Sequence, residues 1–129
     1  MAKDGKTLRT PLSRVRHLGS ARLGTYEHWL QRATAAALIP LTIGFVWLML
    51  TLLHKDYNGA RAQLSKPLPA IVLLLFVAVG VWHMHIGMRS IILDYVQGRA
   101  RDWALIANAF FAAALGLTCL YAVLRIGFV

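Results

Sequence analysis

An all-α integral membrane protein with three transmembrane helices is the fold class this 129-residue sequence predicts. Residues 33–53 and 68–88 each run 21 positions without Asp, Glu, Lys or Arg, and residues 103–124 run 22. A helix crosses a hydrocarbon core of about 30 Å in around 20 residues, so each run is long enough. Composition agrees: 58% of the chain is hydrophobic and 15% is charged, against about a quarter charged in soluble domains.

The elements follow in order within one membrane domain over residues 1–129. Residues 1–27 form a basic arm, and the spans cover about 28–53, 68–95 and 102–125. Trp29 sits where indoles favour the headgroup region. Pro40 lies inside the first span and is expected to loosen or kink it, which neighbouring helices tolerate. Residues 54–69 read as a loop, with Asn58-Gly59 as a turn signal and Pro67 and Pro69 opening the second span. The second helix is expected to continue to Tyr95, about 42 Å in all, carrying its last turn to the water boundary. Gly98 marks the short turn before the third span. Small residues in the first span (Ala33, Ala35, Ala36, Ala37) and the third (Ala112, Ala113, Ala114, Gly116) allow close helix approach in lipid. Packing against a second membrane subunit is expected on that ground.

The net charge of +9 is segregated. Lys3, Lys6, Arg9, Arg14, Arg16, Arg22 and Arg32 precede the first apolar run, against Asp4 and Glu27 alone. Arg89, Arg99 and Arg101 follow the second, and Arg125 follows the third. The positive-inside rule then predicts a cytoplasmic N-terminus and a periplasmic C-terminus, although Lys55, Arg61 and Lys66 in the first loop run against it. The arm either sets topology alone or docks a cytoplasmic partner or anionic lipid. Nothing beyond charge suggests nucleic acid. The first apolar run follows the basic arm and lacks a small-residue cleavage site, so it reads as a span and not as a secretory signal. The single cysteine, Cys119, lies in the third span and excludes an internal disulfide and a thiolate-bound iron–sulfur centre in this chain.

Chemistry concentrates in residues 83–95, H-M-H-I-G-M-R-S-I-I-L-D-Y. Histidine is scarce in hydrocarbon because its ring needs a polar partner there. At about 100° per residue, Gly80, Gly87, Ser90 and Asp94 fall on the face of His83, whereas His85 turns about 200° away. The glycines leave a smooth strip against which a flat macrocycle fits, with His83 on its iron. The alternative is a histidine hydrogen-bonded to a neighbouring helix. Asp94 and Tyr95 lie at the water boundary, about 16 Å further along the axis. A tyrosine hydroxyl donates to a quinone carbonyl and a carboxylate relays protons, or the pair is an interfacial anchor. Arg32 either pairs with a haem propionate through its planar fork or serves as a topological flank. No hydrolytic triad, phosphate loop or nucleotide fingerprint is present, so flavin and iron–sulfur chemistry would belong to partners.

These residues resemble the small cytochrome b-type anchor (D-type) of bacterial succinate dehydrogenase, respiratory complex II. The matching pattern is His83, then Ile86-Gly87-Met88, then Asp94-Tyr95. Residues 9–21 (R-T-P-L-S-R-V-R-H-L-G-S-A) and 28–35 (H-W-L-Q-R-A-T-A) add an amino-terminal match. The likeness covers most of the chain; the first loop and third span match in hydrophobic character only, and His85 departs from the lysine or tryptophan of relatives. The resemblance implies a non-catalytic anchor in a bacterial inner membrane, with a second anchor subunit, an iron–sulfur subunit and a flavoprotein as partners. It implies electron transfer from succinate to ubiquinone beside a haem b shared between the anchors. His83 is then an axial ligand, Tyr95 a quinone hydrogen-bond donor, Asp94 an aid to protonation and Arg32 a neighbour of the propionates. The rival readings are a cofactor-free scaffold for soluble redox subunits and a fumarate reductase-type anchor. A transporter subunit is disfavoured, because no span holds a deep carboxylate for ion coupling.

Overall fold

The structure, a computed structural model, describes residues 23–128. The first 22 residues of the basic arm, including all six of its Lys and Arg side chains, lie outside the described residues. Four helices follow: α1 (Leu23–Leu52), α2 (Tyr57–Leu64), α3 (Pro67–Tyr95) and α4 (Arg99–Phe128). Three of them, α1, α3 and α4, are long and apolar enough to cross a membrane. In lipid a helix satisfies every backbone polar group internally, which is why the apolar runs take this form. α1 runs unbroken through Pro40. Pro67 opens α3 at a position whose N–H needs no intrahelical partner, after Lys66 in extended conformation. The turn into α4 depends on Gly98, at φ +66°, a left-handed conformation that side chains with a Cβ rarely adopt.

The segment read as a loop contains a helix. Asp56 caps α2 by accepting from the Gly59 N–H at 3.1 Å, so Asn58-Gly59 falls in a helical first turn and not in a reverse turn. The short polar helix carries no apolar run to announce it. Its end is fixed by Ser65, whose hydroxyl reaches the carbonyl of Arg61 at 2.9 Å and that of Ile126 in α4 at 3.0 Å.

α3 is the central helix. α1 packs along one side of it and α4 along another, while α2 touches α3 and α4 at one end. The α1–α3 seam is antiparallel and starts from the Glu27–Arg89 ion pair. It continues through Thr34 opposite His83 and Leu38 opposite Gly80 to the stacked rings of Phe45 and Phe76, 4.5 Å apart. On the other side, Gly116 of α4 admits Val81, whose Cγ1 lies 3.4 Å from where a Cβ would stand, and Ala112 is buried. Small residues thus let α4 approach closely. Only 6%, 6% and 11% of the most apolar windows of α1, α3 and α4 are buried within the chain, so most of each span faces lipid or other subunits.

Asn108 is the buried polar residue of the α3–α4 seam. Its amide nitrogen donates to the His85 carbonyl at 3.0 Å and lies 3.2 Å from the His85 Nδ1. Interhelical polar contacts in lipid contribute about 0.6 kcal/mol on average and up to about 1.7 kcal/mol. Asn108→Leu is therefore expected to destabilise the assembled protein by about 1 kcal/mol, read as a lowered midpoint in thermal unfolding of the detergent-solubilised complex.

Candidate cofactor and quinone site

The two histidines of α3 point to different neighbours, as the 200° turn between them requires. His85 faces α4 and Asn108. His83 faces α1, where its Nδ1 lies 2.9 Å from the Thr34 hydroxyl. That hydroxyl is also 2.9 Å from the Leu30 carbonyl and 3.0 Å from the Gln31 carbonyl, one turn back along α1. A hydroxyl has one proton and two acceptor positions. With the proton drawn to the main chain, Thr34 accepts from Nδ1–H, and the neutral imidazole then carries its free lone pair on Nε2. Metal-bound histidines commonly have this arrangement, with one ring nitrogen oriented by a hydrogen bond and the other on the metal.

The glycine strip has another occupant than an open cofactor face. A Cβ at Gly87 would stand 3.0 Å from the Gln31 Nε2, and one at Gly80 would meet Leu38 at 4.0 Å. The glycines admit α1, because two antiparallel helices close over the smallest side chains first. His83 itself is half-buried, so a planar group reaching it would have to approach from the flank of the seam. Ser90 on the same strip turns its hydroxyl to the Ile86 carbonyl at 3.2 Å.

Beside this seam the Gln31 Oε1 is buried without a hydrogen-bond partner. Such an atom costs about 1–3 kcal/mol unless a group from outside the chain completes it. Among the described residues no three His, Cys, Asp or Glu side chains gather to hold a bare ion. A single oriented imidazole next to an incomplete polar site fits a metal whose remaining ligands come with it, as a porphyrin supplies them. The residues present fit a haem.

Arg32, Asp94 and Tyr95 belong to the same end of the bundle and are exposed, Tyr95 at 82%. Asp94 and Tyr95 form the last turn of α3, beyond the Glu27–Arg89 pair. Within this chain they are not drawn together with His83; they offer polar groups to whatever lies against that end. Sequence reasoning missed Thr34, Gln31, Asn108 and the Glu27–Arg89 pair. Asn108 had a signal, being an amide inside an otherwise apolar run. Thr34 had only its place within the R-A-T-A string of residues 32–35, which says nothing of what it faces.

Three helices long and apolar enough to cross a membrane, with one short polar helix between the first two, define a class, that of small multi-span membrane proteins. A family model described as "Succinate dehydrogenase/Fumarate reductase transmembrane subunit" matches residues 6–116. The chain belongs to this family. It is 36% identical over 118 residues to the succinate dehydrogenase hydrophobic membrane anchor subunit of Paracoccus denitrificans, covering 92% of each chain. The protein of the same description from Rickettsia bellii (strain RML369-C) is 29% identical over 105 residues, 81% of this chain and 84% of that one. That from Rickettsia felis (strain ATCC VR-1525 / URRWXCal2) is 39% identical over 72 residues, 55% and 60% of the two chains. No solved structure gives a significant match. With its three spans and these bacterial relatives, the chain is a multi-pass protein of the bacterial inner membrane.

Proposed function

We propose that this chain is the anchor of a succinate:ubiquinone oxidoreductase, contributing one axial ligand to a haem b and part of the ubiquinone site, with no catalysis of its own. The observation that carries the reading is the Thr34–His83 hydrogen bond, which frees the His83 Nε2 for iron. When bound, the haem supplies a one-electron redox centre at the depth of His83. A six-coordinate bis-histidine iron would need its second ligand from another chain, since the other histidine of this helix faces α4. Arg32, exposed near the start of α1, offers a guanidinium to the propionates.

Reduction of ubiquinone to ubiquinol takes up two electrons and two protons. Tyr95 donates a hydrogen bond to a quinone carbonyl oxygen, and Asp94 beside it passes protons from water. Both are exposed at the end of α3 and free to meet a headgroup-depth ligand. The electrons come from an iron–sulfur subunit and a flavoprotein docked at that end, since this chain lacks the thiolates for clusters. The relatives, each described as a succinate dehydrogenase anchor, favour succinate oxidation over the fumarate reductase direction.

Thr34→Val tests the ligand assignment, because it keeps the shape and removes the acceptor. Losing an outer-shell partner typically costs about 10- to 100-fold in metal affinity. The variant is expected to lose haem readily on dilution in detergent and to show a raised midpoint potential, because the imidazole becomes a weaker donor to ferric iron. Thr34→Ser is expected to restore both. A pyridine haemochrome assay that finds no haem in the wild-type assembly would support the cofactor-free scaffold instead.

A further inference from the structure

The opposite end of the bundle carries a second polar site. A cavity of about 610 Å³ opens between α2 and the last turns of α4. Each helix presents the same pair of residues to it four positions apart: Tyr57 and Arg61 from α2, Tyr121 and Arg125 from α4. Residues at i and i+4 share a helix face, so two guanidinium groups and two phenols converge on one space. Ala122 and Ile126 are among its apolar lining residues, and among the described residues no carboxylate lines it. The one acidic residue of the adjoining segment, Asp56, is engaged as the α2 cap. The Ser65 bridge to the Ile126 carbonyl holds α2 against α4 and so keeps the cavity in shape.

We infer that this cavity binds the phosphodiester headgroup of an anionic membrane phospholipid of the phosphatidylglycerol type. Guanidinium forks match phosphate oxygens, and tyrosine hydroxyls donate at headgroup depth. The apolar lining residues receive the glycerol and first acyl carbons, for which a free phosphate ion has no use. The site also explains why Arg61 and Arg125 stand at the end where the positive-inside rule expects few cations.

The test uses the complete, delipidated complex in detergent, titrated separately with phosphatidylglycerol, phosphatidylcholine and inorganic phosphate and read by native mass spectrometry. A diazirine-labelled phosphatidylglycerol maps the site by peptide analysis. Saturable phosphatidylglycerol binding is expected, tighter than phosphatidylcholine, with cross-links in residues 57–64 and 118–126. Arg61→Gln and Arg125→Gln should each weaken it about fivefold and the pair about 25-fold, the strength expected of single cations near anionic lipid. Lys66→Gln, outside the cavity, should leave it unchanged. Equal affinity for the two lipids, unaltered binding in either single variant, or cross-links elsewhere only would overturn the proposal. Saturation by inorganic phosphate would reduce the site to an anion pocket and overturn it as a lipid site. If the double variant fails to assemble, the single variants and the cross-link map still decide.

Discussion

Replacing His83 with alanine is expected to abolish the reducible b-type absorbance band of the assembled complex, while His85→Ala leaves it in place. The two residues are two positions apart, in the same span and of the same chemistry, so composition and hydropathy cannot separate their effects. Geometry does. The Thr34 hydroxyl can accept from the His83 Nδ1–H and leave the lone pair on Nε2, whereas the Asn108 amide donates to the His85 Nδ1, so that ring holds its proton on Nε2. His83→Ala also leaves the Thr34 hydroxyl without its imidazole, but that hydroxyl keeps its main-chain carbonyls, so the helix seam should survive. Free imidazole diffusing into the vacated space is expected to restore part of the band, an outcome that a purely structural histidine would not give. A band unchanged in His83→Ala, or lost only in His85→Ala, would remove His83 from the iron.

The fold was legible because bilayer physics leaves a coarse trace. Three charge-free runs can be neither loops nor strands in hydrocarbon, and α1, α3 and α4 contain them. α2 escaped notice because an eight-residue helix without an apolar run has no such trace and because Asn58-Gly59 is a turn signal unless a capping aspartate precedes it. At the site, helical periodicity alone separated His83 from His85. It could not supply the register between helices, and so Thr34 and Gln31 stayed hidden. The same gap misled the reading of Gly80 and Gly87. Small residues announce that something approaches closely but not what, and here Leu38 and Gln31 of α1 take the space assigned to a macrocycle. The iron-facing role of His83 thus rests on hydrogen-bond chemistry at its other nitrogen, not on clearance along the helix.

Tyr95→Phe is expected to lower ubiquinone reduction by about two orders of magnitude, the lower range for a positioned proton donor. Succinate-driven reduction of an artificial dye should persist, because dyes draw electrons from the soluble subunits before the quinone site. The substitution removes one oxygen from a side chain that is 82% exposed in this chain, so loss of folding is a poor alternative explanation. Tyr95 also lies about 18 Å from His83 along the helix axis, and the b-type band should be unaffected. Asp94→Asn keeps the shape and abolishes the proton relay, so it should slow quinone reduction most at alkaline pH, where protons from bulk water are scarce. If Tyr95→Phe depressed dye and quinone reduction equally, the tyrosine would be acting on assembly and not on the quinone. If neither rate changed, the end of α3 would be an interfacial anchor, and the hydrogen-bond donor to ubiquinone would have to come from another subunit.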